Sequence, residues 1–263
     1  MTEVKGQIVA LGGGGFSMEP NNSLLDDFIL SLAPQTPVKV CFIPTASADS
    51  APYLVKFYRA FSGRAIATDL TIFDPSAVPR RPSHTSEIAS FVAEQDIFYV
   101  GGGNTANLLA VWRAHGVDRV LRGAWCAGKI LCGISAGMIC WFRDGLTDSF
   151  GELAPLGDGL GFIEASACPH YDSEPDRPAA YRKAISNGMV GGYAADDGAA
   201  LHFLGTEFVE AVASRENAYA YRVELIDGRV EETKLATRFL GESKPRVRVP
   251  PTDEVHSDNN NEV

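Results

Sequence analysis

Short apolar runs that stop at glycine alternate with amphipathic stretches along most of this chain. Residues 7–11 (Gln-Ile-Val-Ala-Leu) run into Gly12-Gly13-Gly14-Gly15. An unbroken apolar run of this length marks a strand covered on both faces. Residues 23–32 then carry Leu24, Leu25, Phe28, Ile29 and Leu32 at helical spacing. The same reading predicts strands over 38–43, 67–73, 96–100 and 129–132, with helices over 51–62, 85–93, 105–115 and 117–124. Gly116 breaks the last two helices, and residues 75–82 form a Pro-rich loop. A further helix is expected from about Ser135, because Met138-Ile139-Cys140-Trp141-Phe142 is an apolar run.

Strand alternating with helix predicts an α/β fold, a mostly parallel sheet with helices on both faces. Towards the C-terminus the pattern changes. Strands are expected over 199–204, 211–214 and 220–226, with Ile226-Asp227-Gly228-Arg229 as a hairpin turn into 230–235. They are read as antiparallel additions to the sheet edge. One α/β domain over 1–240 is predicted, followed by a disordered tail over 241–263, rich in Pro, Asn and charge.

Sheets of this kind place their sites beyond the carboxyl ends of the strands. Three predicted strands end in small-residue loops, at 12–15, 101–103 and 133–137, which points to one site built from three loops. Gly133-Ile134-Ser135-Ala136-Gly137 matches G-x-S-x-G, the strand-to-helix turn that lifts a serine hydroxyl above a sheet. Ser135 is therefore the candidate nucleophile. Without a flanking strand and helix, the pattern would describe only a tight turn.

A serine nucleophile needs a base. His84 lies in a loop, His115 at a predicted helix end, His202 in a strand where packing explains it, and His256 in the tail. His170, in Cys168-Pro169-His170-Tyr171, stands where a strand end enters a polar loop and is the candidate base. For the acid that orients the imidazole, Asp144, Asp148, Glu152, Glu164 and Asp172 are available. Asp148 is preferred, because its loop follows the nucleophile helix and can fold back over the site. The Ala136 amide belongs to the serine turn and suits an oxyanion, and the glycines of 101–103 could bring a second donor close.

Composition narrows the partners. A formal net charge of −10 disfavours nucleic acid and anionic membrane surfaces. The apolar stretch 130–142 is broken by Gly133, Ser135 and Gly137, too short for a span. The first six residues lack the layout of a secretory leader, so the cytoplasm is the expected location. Five cysteines without a C-x-x-C pair are read as buried thiols. No metal-ligand spacing, G-x-G-x-x-G or Walker A loop occurs, and neither metal nor cofactor is expected.

In series, Val100-Gly101-Gly102-Gly103-Asn104-Thr105, Gly133-Ile134-Ser135-Ala136-Gly137 and Pro169-His170 resemble the peptidase E family of serine peptidases. The resemblance extends from about residue 8 to residue 235. It implies a class I glutamine amidotransferase-like (flavodoxin-like) fold, with serine where those enzymes carry cysteine. It also implies a triad of Ser135, His170 and an acid, for which Asp148 occupies the matching segment, and oxyanion donors at Gly103 and Ala136. Well-known members cleave dipeptides with an N-terminal aspartate, using an arginine after the histidine. Here Arg177 and Arg182 are the candidates, with Asn104 a further substrate contact, but neither arginine aligns well and the segment is strongly acidic.

The function expected is thus a serine dipeptidase acting on small peptides through an acyl-enzyme, as a monomer or a homodimer. The alternatives are a cyanophycinase-like or esterase-type hydrolase, or a non-catalytic binding protein on the same scaffold.

Overall fold

The computed structural model describes residues 6–73 and 85–241. The predicted 75–82 loop, His84, His256 and all of the predicted tail beyond Gly241 lie outside these residues. The first strand, β1 (Gln7–Leu11), leads through a single helical turn, α1 (Gly15–Met18), into α2 (Leu24–Ser31). β2 (Lys39–Ile43), α3 (Ala51–Phe61), β3 (Ile66–Asp69), α4 (Thr85–Ala93) and β4 (Ile97–Val100) follow. Next come α5 (Thr105–His115), α6 (Val117–Cys126), β5 (Ile130–Ile134) and α7 (Ala136–Ile139).

These strands form the parallel half of an eight-stranded sheet. Completing it are β10 (Ala199–Leu204), β11 (Glu207–Ala213) and β14 (Thr237–Phe239), in the order β14-β11-β10-β1-β5-β4-β2-β3. β10 joins β1 antiparallel, with Val9 opposite His202, whereas β5 joins β1 parallel, with Val9 opposite Cys132. Side chains alternate across the sheet, as the pleat requires. Ile8, Ala10, Phe98, Val100 and Leu131 pack with Leu108, Trp112 and Leu121 of α5 and α6. Val9, Leu11, Ile97, Tyr99 and Ile130 face the other way, onto Leu25, Ile29, Phe57 and Phe61 of α2 and α3. Both faces are covered, which explains why these strands read as continuous apolar runs.

A second sheet departs from expectation. β6 (Phe142–Thr147), β7 (Ala154–Pro155), β8 (Ile163–Cys168), β9 (Gly192–Ala195), β12 (Ala220–Ile226) and β13 (Arg229–Lys234) take the order β13-β12-β9-β8-β6-β7. Only β10 and β11 extend the first sheet antiparallel. The predicted hairpin forms, with Ile226 opposite Arg229, but it pairs with β9 rather than with the first sheet. Alternation identifies a strand without saying which edge it joins. Residues of β8 and β9 bury on one side in the first core and on the other beneath α8 (Arg177–Ser186), through Cys168, Tyr181, Ile185 and Ala194.

The helix expected after Ser135 is one turn only, and Phe142 already begins β6. Met138, Ile139, Cys140, Trp141 and Phe142 are all buried, so their apolar run carries no helical period. Four cysteines are buried as predicted and burial pushes their thiols well up, but Cys126 is exposed.

One carboxyl sits inside the second core. Asp26 is 1% exposed and lies with the Tyr99 hydroxyl beneath Gly15, where burial raises its pKa to about 7 despite the charge of Arg64. The unfolded chain ionises near pH 4 while the folded chain keeps the proton, so this group costs stability as pH rises from about 4 to 7. The cost above pH 7 is at most about 4 kcal/mol. Asp26→Asn should therefore unfold at higher urea concentration than wild type at pH 8, and nearly together with it at pH 4.5. Equal differences at both pH values would show that Asp26 is not titrating in this way.

Candidate active site

Ser135 follows β5 with φ 58° and ψ −113°, outside the regions open to most L-residues. Such a conformation costs about 1–3 kcal/mol and needs rigid surroundings. The two glycines of the motif supply them. A Cβ on Gly133 would lie 2.4 Å from the carbonyl oxygen of Gly137, and one on Gly137 would lie 2.4 Å from that of Val100. The turn closes on itself and on the neighbouring strand, and only hydrogen fits at either position.

His170 follows β8 and also has a positive φ, 55°. Ser135 and His170 therefore stem from different sheets, and the end of β1 joins them. The Ser135 N–H donates to the Leu11 carbonyl at 3.2 Å, and the His170 N–H donates to the next carbonyl, Gly12, also at 3.2 Å.

Behind the imidazole stands Asp197, with its Oδ1 2.6 Å from His170 Nδ1. This corrects the expectation of Asp148, which is exposed in the turn after β6. The neighbouring Ser149 ties that turn to the start of α5, through its carbonyl to Asn104 and its hydroxyl to the Ala106 amide. Asp197 follows β9 at the short crossing to β10, and it was not among the acids considered. Its backbone N–H donates to Asp172 Oδ1 at 2.8 Å, and the Arg215 guanidinium donates to its carbonyl. Burial alone would raise the Asp197 carboxyl, but the hydrogen bond and charge of His170 outweigh it and hold the group below the usual range. Gly13 makes room for it: a Cβ there would fall 1.9 Å from Asp197 Oδ1. The adjacent Asp196 turns to the Tyr219 amide at 2.9 Å instead.

The loop 101–104 lies across Ser135, and a Cβ on Gly102 would come within 3.8 Å of Ser135 Oγ. Its amides are nearly all engaged: Gly101 donates to Ile43, Gly102 to the Tyr53 hydroxyl, and Asn104 to Ala46. Among the described residues, the Gly103 and Ala136 amides have no acceptor. Gly103 has φ 138°, and its would-be Cβ meets the Ala46 carbonyl oxygen at 2.2 Å, so no other residue fits.

The predicted substrate contacts fare differently. Asn104 caps α5, accepting from the Asn107 amide at 2.9 Å and donating to Ser149 at 3.0 Å. Arg177 is 3% exposed and is held by Glu174 at 2.6 Å and the Leu146 carbonyl at 3.2 Å. Arg182 pairs with Glu232 at 2.9 Å. Both guanidiniums are thus neutralised within the protein, Arg177 by Glu174 of the acidic segment and Arg182 by Glu232 of β13.

A strained serine over the carboxyl ends of a parallel sheet, with an imidazole and a buried carboxylate beyond it, defines a serine hydrolase. The sequence profile of Peptidase family S51 matches residues 8–211, and the chain belongs to that family, as a serine-type peptidase. It is 49% identical over 237 residues to the Bacillus subtilis protein named uncharacterized peptidase YgaJ, covering 89% of this chain and 99% of that one. An uncharacterized peptidase of Listeria monocytogenes is 29% identical over 142 residues, 52% of this chain and 67% of its own. Two solved structures share the fold. A peptidase from an acI-B1 actinobacterium superposes with TM-score 0.68 at 17% identity, over 89% of this chain and 96% of its own. A putative peptidase E protein from Listeria monocytogenes gives 0.55 at 21% identity, over 78% of this chain and 96% of its own. No helix among the described residues is long and apolar enough to cross a membrane.

Proposed function

We propose that this serine peptidase is a dipeptidase that uses Ser135, His170 and Asp197 as its triad and forms an acyl-enzyme. The observation that carries the reading is the pair of amide bonds from Ser135 and His170 to consecutive carbonyls at the end of β1, with Asp197 behind the imidazole. His170 takes the Ser135 proton through Nε2 as the hydroxyl attacks the scissile carbonyl. Asp197 holds Nδ1 protonated and stabilises the imidazolium that forms. The Gly103 and Ala136 amides receive the oxyanion, each contributing roughly 3–4 kcal/mol at comparable sites. The imidazolium then protonates the leaving amine. Water, activated by the same imidazole, hydrolyses the ester to free the acid and restore Ser135.

Preference for an N-terminal aspartate has no support from Arg177 or Arg182, which the protein itself neutralises. The proposal is therefore a small, unblocked dipeptide without a requirement for aspartate. The test is a panel of Asp-X, Ala-X, Leu-X and Gly-X dipeptides. Cleavage of Ala-X or Leu-X at rates at or above Asp-X is the expected result. Cleavage of Asp-X alone would overturn the specificity, and cleavage of p-nitrophenyl esters with no dipeptide turned over would favour an esterase.

A further inference from the structure

The loop 101–104 contains three consecutive glycines, and glycine gives up more conformational freedom on ordering than any other residue. Such a loop holds one amide in place only if its neighbours are anchored. Two anchors are main-chain carbonyls, Ile43 for the Gly101 amide and Ala46 for the Asn104 amide. The third is a side chain. Tyr53, in the first turn of α3, accepts the Gly102 N–H on its hydroxyl at 3.2 Å.

The Tyr53 ring is held from behind. It lies edge-on to Phe42, with centroids 4.9 Å apart, and 5.6 Å from Phe16. In front, a Cβ on Gly101 would fall 2.9 Å from Tyr53 Cε1, so ring and loop are in close contact. Phe16, whose ring meets that of Tyr53, lies in α1 directly after the 12–15 loop. One phenol thus links the loop beside the nucleophile to the segment that carries Gly12 and Gly13, which hold His170 and face Asp197.

We propose that Tyr53 is a positioning residue for the oxyanion site: by fixing the Gly102 amide it turns the Gly103 N–H toward the place where charge develops on the attacked carbonyl. The inference rests on the serine-peptidase mechanism above, with Gly103 as a donor. Tyr53 itself touches no reacting atom. Its effect belongs to the transition state, because the oxyanion forms only there.

The test is Tyr53→Phe in the full chain, which removes the acceptor and keeps the ring, with Ile29→Val, in the same core but away from the loop, as a packing control. The second-order rate of labelling by a fluorophosphonate is read for wild type and both variants, and kcat and KM are read on the best dipeptide of the panel. A 10- to 100-fold fall in labelling rate and kcat is expected for Tyr53→Phe, with KM within about threefold and Ile29→Val near wild type. Labelling within twofold of wild type, or an equal fall in Ile29→Val, would overturn the proposal while leaving the peptidase reading intact. Failure of wild type to label at Ser135 would remove both. Should Tyr53→Phe not fold, Tyr53→Met carries the test, since it also removes the acceptor, with the same fall expected and an unchanged rate overturning the proposal.

Discussion

Ser135→Ala is expected to lower kcat by roughly 10⁴- to 10⁶-fold, the range seen when a triad nucleophile is removed. KM should change little, since the hydroxyl contributes to bond-making rather than to ground-state binding. The fold should remain, and for a specific reason. Alanine carries the same Cβ, so it meets the same strain at φ 58°, and the Gly133 and Gly137 contacts that impose the turn are untouched. Thermal unfolding of the variant should stay within a few degrees of wild type. Residual turnover above 1% of wild type in a well-folded, uncontaminated preparation would exclude Ser135 as the nucleophile.

Asp197→Asn should be nearly as damaging, with kcat down about 10⁴-fold, while Asp148→Asn should stay within about twofold of wild type. The asparagine side chain fits the same space, but an amide nitrogen facing Nδ1 would favour the wrong imidazole tautomer and could not stabilise the imidazolium. Because the bond from His170 Nδ1 to Asp197 is short and largely shielded, with side-chain exposures of 12% and 13%, water cannot readily replace it. The two variants together separate the acid read from tertiary structure from the one suggested by sequence order. A large loss in Asp148→Asn, with Asp197→Asn active, would reverse the assignment. Parallel kinetics on one dipeptide, with circular dichroism to check folding, decide the matter.

Local pattern made much of this protein legible. The alternating apolar runs and amphipathic stretches located α2 to α6 and β1 to β5 within a few residues, because buried parallel strands and their covering helices each impose a repeating burial. The G-x-S-x-G turn was equally readable, since one of its glycines, Gly133, answers a contact within five residues, against Gly137. Pattern failed where burial was complete. Residues 138–142 are apolar because all are enclosed, and the boundary between α7 and β6 leaves no periodic trace.

The acid illustrates a different limit. Asp197 lies 27 residues beyond His170 and 62 beyond Ser135, and no motif ties it to either. Its local trace is faint: Asp196-Asp197-Gly198 stands between two apolar strands, at a strand end like those that carry the glycine loops. Arg177 and Arg182 show the converse. Their position after His170 made them look available, but availability depends on whether Glu174 and Glu232 already hold them.

By itself, then, the sequence determined the α/β class, the serine turn and the histidine at a strand end, since each depends on neighbours within one element. Only the tertiary structure decided which carboxylate stands against His170, which loop amides are left without an acceptor and which arginines are already paired. The first of those choices depends on antiparallel β10 lying beside β1, which brings Asp197 against Gly13. Strand order is a long-range property, set by the packing of whole sheets, and no short segment of the chain encodes it.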